Sequence, residues 1–127
     1  MILVDTSVLI RHFRQPTPQR QAVIQANDPV VCGLVLSEFW SGATTPLQVQ
    51  GCVQVLACFG EIVIPQSVWK TAGHHQVQLR GNGVIVPLID TIIATTAIET
   101  QLELWTYDNH FAIMANILPG LRLFQEP

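Results

Sequence analysis

Three times in this chain an apolar run meets an aspartate and continues into what reads as the first turn of a helix. The segments are Ile2-Leu3-Val4-Asp5-Thr6-Ser7, Pro87-Leu88-Ile89-Asp90-Thr91-Ile92 and Trp105-Thr106-Tyr107-Asp108-Asn109-His110. Short apolar runs bounded by turn signals suit strands buried on both faces, and the longer periodic stretches between them suit helices. That alternation builds an α/β fold around a mainly parallel sheet. In an open sheet of this kind the carboxyl ends of the strands face one edge, where ligands bind. Asp5 and Asp108 follow strands directly and are expected at that edge. Asp90 begins a helix and is placed there by hypothesis.

The pattern predicts strands over 2–4, 30–32, 62–64, 102–107 and 121–124, giving a sheet of about five strands. Helices are expected over 6–13, 18–26, 34–43, 46–59, 66–80, 90–100 and 109–115, with an extended apolar link over 84–89. Thr17-Pro18 and Thr45-Pro46 are the clearest starts, each a capping residue followed by proline at the first helical position. With 127 residues and no internal repeat or linker, the expectation is a single domain over 1–127.

Charged residues make up 12% of the chain, about half the usual share of roughly 25%. Too few charges remain to coat the surface, so an apolar face is expected against a second copy or a partner. The net charge of −3, with six Lys plus Arg, argues against a protein that coats nucleic acid by phosphate neutralisation. It leaves a nuclease open, because a bound divalent cation reverses the local sign where phosphate must sit. Cys32, Cys52 and Cys58 form no CxxC pair, lie beside apolar residues and read as buried free thiols. The start Met1-Ile2-Leu3-Val4-Asp5 lacks the basic region of a signal peptide, and no apolar run reaches membrane-spanning length. A cytoplasmic protein without a membrane partner is the expectation.

Each aspartate alone reads first as a helix cap, a role worth about 1 kcal/mol. Glu38 does not fit that role, because it lies inside a helical stretch, Leu36-Ser37-Glu38-Phe39-Trp40. Buried glutamates are almost always paired, so Glu38 either faces solvent or meets a partner. If Asp5, Glu38, Asp90 and Asp108 converge, their mutual repulsion keeps some of them protonated unless a cation intervenes. Magnesium is hard and oxygen-seeking, and no His and Cys cluster favours zinc instead. Such a set suits phosphodiester hydrolysis assisted by Mg2+ or Mn2+.

Four segments in this order resemble the PIN-domain ribonucleases, in particular the VapC-type toxins of prokaryotic toxin–antitoxin pairs. The opening 1–10 resembles the family's first strand and acid. Leu36-Ser37-Glu38-Phe39-Trp40-Ser41-Gly42 resembles its glutamate helix, residues 80–83 with 89–97 its third acidic segment, and Thr106-Tyr107-Asp108-Asn109-His110-Phe111 its closing motif. The resemblance implies a three-layer α/β/α fold and a Mg2+- or Mn2+-dependent endoribonuclease leaving a 5′-phosphate and a 3′-hydroxyl. It implies Asp5, Glu38, Asp90 and Asp108 as the catalytic and metal-holding acids. RNA is then the substrate and a VapB-type antitoxin the partner, with operator DNA reached only through that antitoxin. It also implies a homodimer.

Thr6, Ser7, Thr106 and Asn109 are candidates for hydrogen bonds to the acids, and Arg11 and Arg80 for phosphate pairing. His110 reads as a surface or capping residue. His74 and His75 are adjacent on a helix and cannot face one metal. Trp40, Trp69 and Trp105 read as core or interface anchors. Two other classes compete with the nuclease. A non-catalytic partner-binding module would use the acids only as caps. A phosphorylatable receiver-like domain needs a lysine after a late strand, and the sole lysine is Lys70.

Overall fold

The structure, a computed structural model, describes all 127 residues. Its elements are β1 (Ile2–Val4), α1 (Thr6–Arg14), α2 (Pro18–Asn27), β2 (Pro29–Cys32), α3 (Gly33–Ser41), α4 (Pro46–Leu56) and β3 (Gly60–Ile62). There follow α5 (Val68–Gly81), α6 (Leu88–Thr100), β4 (Leu104–Trp105) and α7 (Asn109–Ile117). The sheet has four parallel strands in the order β3-β2-β1-β4, and Leu123 adds a parallel bridge to Leu104 at the β4 edge.

That order explains the layers. The chain steps from β1 to β2 to β3 in one direction, then crosses back over both to reach β4. Parallel crossovers are right-handed, so α1 to α4 cover one face and α5 and α6 the other. Accordingly α1, α3 and α4 pack together, as do α5, α6 and α7. The core is one cluster of 25 buried apolar residues, with Leu3, Val4, Val31, Leu104 and Trp105 supplied by the strands. No helix is long and apolar enough to cross a membrane.

Both Thr-Pro starts are present, with Thr17 accepting from the Arg20 N–H and Thr45 from the Gln48 N–H. Three expectations shift. The third strand runs Gly60–Ile62 rather than 62–64, because the ladder pairs Val30 with Gly60 and Cys32 with Ile62. The fourth strand shrinks to Leu104–Trp105, since Thr106 and Tyr107 turn into the site, and the last strand is reduced to the Leu123 bridge. Helix α6 begins at Leu88, so the link expected over 84–89 ends early and Asp90 is its third residue, not its cap. Cys32 and Cys52 are buried thiols as expected, whereas Cys58 is exposed just beyond α4.

Candidate active site

The strand order reverses between β1 and β4, and the crevice outside their carboxyl ends is where such a sheet binds ligands. Asp5 is the first residue beyond β1, and Asp108 stands just beyond β4. Asp5 caps α1 and is buried, with 5% of its surface exposed. Its Oδ2 accepts from the Ser7 N–H (3.3 Å), the Ser7 hydroxyl (2.7 Å) and the Thr106 hydroxyl (2.9 Å). These donors fix the carboxylate and leave its second oxygen without a protein partner. Ser7 Oγ also accepts from the Tyr107 N–H at 3.0 Å, and Thr106 Oγ1 from the Asp108 N–H at 2.9 Å. The two strand ends are thereby stitched together through Thr106 and Ser7.

Asp108 caps α7, its Oδ1 accepting from the His110 N–H at 2.9 Å. The His110 ring turns back over that cap, so its Nδ1 lies 3.3 Å from Asp90 Oδ2 and 3.5 Å from Asp108 Oδ1. Asp90, Asp108 and His110 each present one ligand atom, all within 4.8 Å of one another. Asp90 reaches this group from the first turn of α6. Burial pushes its carboxyl above the usual carboxylate range, and the negative charges of Asp5 and Asp108 act in the same direction, against the hydrogen bond and charge of His110. Crowded negative charge of this kind is relieved by a divalent cation. Carboxylate oxygens are the ligands that magnesium or manganese prefers.

Glu38 stands apart from this group. It is exposed on α3, and its Oε1 accepts from the Thr6 hydroxyl at 2.9 Å, which holds it beside Asp5 across the α1–α3 packing. The expected supporting roles divide. Thr6, Ser7 and Thr106 bond the acids, whereas the exposed Asn109 side chain makes no hydrogen bond. Arg80, near the end of α5, also makes none. His110, which the sequence read as a surface or capping residue, instead joins Asp90 and Asp108. The available signal was Asp-x-His at a helix start, where a first-turn imidazole can fold back over its own cap.

A family model described as the PIN domain matches residues 2–117. The fold is similar to VapBC2 from Rickettsia felis bound to a DNA fragment from their promoter, at 20% identity and TM-score 0.82 over 98% of each chain. It is also similar to DNA-bound VapBC from Salmonella typhimurium (18% identity, TM-score 0.80, 98% of each chain). FitAcB from Neisseria gonorrhoeae matches at 19% identity and TM-score 0.76, over 99% of this chain and 98% of that one. No curated protein matches the chain in sequence. With that family model covering nearly the whole chain, this chain belongs to the PIN-domain family.

Proposed function

We propose that this protein is a VapC-type toxin, an endoribonuclease that uses Mg2+ or Mn2+ to hydrolyse RNA phosphodiester bonds. The observation that carries the reading is the set of Asp90, Asp108 and His110 ligand atoms within 4.8 Å, with the Asp5 charge acting on Asp90. Asp5, Asp90 and Asp108 would hold the ion. When bound, it supplies an acidified water and neutralises charge on the phosphate and the leaving oxygen. Asp5 is held rigid by its three donors, so its free oxygen keeps a fixed position as substrate arrives. Glu38 is oriented by Thr6 and keeps its second oxygen free to accept a proton from an attacking water. The His110 imidazole, between two carboxylates, is placed to hold a proton near the leaving oxygen.

Two of the solved structures named above are VapBC bound to DNA, which supports a VapB-type antitoxin as partner here and operator DNA reached through it. Exposed Val63, Trp69, Val77 and Ile85 support a homodimer. The test is cleavage of RNA with Mg2+ or Mn2+, compared with Asp5→Asn and Asp90→Asn. The expected outcome is cleavage that needs the ion and falls at least a hundredfold in both variants, on the order of what loss of one charge-stabilising group costs. Equal activity in the variants would assign the cleavage to a contaminant. One observation favours the competing non-catalytic module: Asp5 and Asp108 both cap helices. A stable antitoxin complex with no cleavage under any metal would establish it.

A further inference from the structure

The nuclease reading leaves open how a chain of net charge −3 holds a polyanion whose scissile unit lies among carboxylates. Helix α1 suggests the answer. One cleft beside the acids is lined by Ser7, Ile10, Arg11, Arg14 and Gln15. The next, a cavity of about 140 Å³, includes Arg14 and Glu38 among its lining residues. We propose that Arg11 and Arg14 form a phosphate subsite that grips single-stranded RNA immediately beyond the carboxylates. This rests on the nuclease reading and adds to it where the strand runs.

Neither arginine has a carboxylate within salt-bridge distance, since the ion pairs of the protein are those of His110. Neither donates a hydrogen bond to the protein, whereas Arg20 bonds Tyr107 and Gln15, and Arg122 bonds Gln101. Yet Arg11 is not loose. Its guanidinium carbon lies 4.1 Å from the centroid of the Tyr107 ring. That ring is fixed by the Arg20 Nε–H donated to its hydroxyl and by a hydroxyl bond to Glu126. One guanidinium face is stacked and the N–H edges stay free, the arrangement that receives a phosphate.

The path to the acids is direct. The Tyr107 N–H donates to Ser7 Oγ, which donates to Asp5 Oδ2. A strand with one phosphate at Asp5 therefore lays its neighbours on Arg11 and Arg14, which stand three residues apart on one helix face. The nuclease reading places a phosphodiester at the carboxylates through a divalent ion, and it gives an acidic peptide no such anchor from which to continue.

The experiment is anisotropy of a short fluorescent single-stranded RNA with Mg2+ across a salt series, in protein carrying Glu38→Gln, which removes the proton acceptor for the attacking water and keeps the three ion-holding aspartates. Arg11→Gln and Arg14→Gln are each expected to weaken binding roughly threefold to tenfold and to lower the salt slope by about 0.7. Arg11→Lys is expected to restore the slope, because the charge is kept. Weaker binding at an unchanged slope would mean that Arg11 merely props Tyr107, and overturns the proposal. So does a double variant that binds RNA like its parent. If that double variant instead loses a poly-glutamate peptide, the cleft is a protein-docking groove. A parent that binds no RNA at low salt would remove the nuclease reading as well, which separates the two failures.

Discussion

Asp90 sits where burial and two neighbouring negative charges all disfavour its ionised form. A carboxyl raised in the folded state favours folding below its ordinary value, and that contribution is lost as pH rises through the raised value. At neutral pH the metal-free protein therefore carries the full penalty. Asp90→Asn is expected to raise the unfolding midpoint without metal and to abolish stabilisation by Mn2+. That stabilisation is about 2.7 kcal/mol when the free ion is a hundredfold above its Kd. Melts with chelator and with Mn2+ check both signs, and a variant that keeps the full Mn2+ shift would place the ion elsewhere. The aspartates themselves were legible because each interrupts apolar sequence at a helix start. His110 was not, because its role depends on a ring folded back across Asp108 toward a residue 20 positions away.

Among the elements, legibility followed local chemistry. The helices opened by Thr17-Pro18 and Thr45-Pro46 begin where sequence placed them, since cap and proline act within one turn. Strand β3 could not be fixed so well. Sequence marks Ile62-Val63-Ile64 as the apolar run, but β2 selects the register, and Gly60 permits the approach to Val30, whose Cγ1 would lie 3.3 Å from a Cβ there. Asp90 moved inward because Leu88 and Ile89, read as strand-like, form the first turn of α6. The other end of α6 carries a testable strain. Gln101 closes it in the left-handed region, at φ 57°. A non-glycine residue there costs roughly 1–2 kcal/mol, while glycine loses about 0.4–1 kcal/mol through a freer unfolded chain. The Gln101 side chain makes no hydrogen bond, and its carbonyl keeps its bond from Arg122 after substitution. Gln101→Gly is thus expected to stabilise by about 0.5 kcal/mol. Urea unfolding should show a higher midpoint at an unchanged slope; a lower midpoint would mean the strain is relieved elsewhere.

For the whole molecule, the parallel architecture could be read from alternating runs, but the polar residues inside it could not. Thr91, Thr95 and Thr96 are fully buried on α6, a placement that composition does not predict. They are tolerated because each hydroxyl is bonded, Thr91 to Gln76, Thr95 to the Thr91 carbonyl and Thr96 to the Ile92 carbonyl. Since Thr95 donates its own proton to a carbonyl, it accepts from His75 Nδ1, 2.8 Å away, and that fixes the His75 tautomer. Burial lowers the pKa of His75, with the charge of Glu99 opposing and that of His74 assisting. His12 is buried on α1 with Nδ1 unpaired, and burial followed by the charge of Arg20 lowers its pKa too. Both histidines therefore stay neutral in the fold at a pH where the unfolded chain has begun to take up protons. Stability is complete above about pH 6.5 and falls as pH drops from there toward the lowered values, by up to about 1.4 kcal/mol per pH unit for each histidine. The raised Asp90 carboxyl acts with the opposite sign, adding stability as pH falls, so it cannot mimic this loss. Urea unfolding at pH 7.5, 6.5 and 5.5 should show a steepening decline, roughly halved in slope by His12→Gln if the two sites contribute equally. Equal stability at pH 7.5 and 5.5 in protein carrying Asp90→Asn, where that opposing contribution is gone, would mean that both rings reach water or a proton acceptor in the fold.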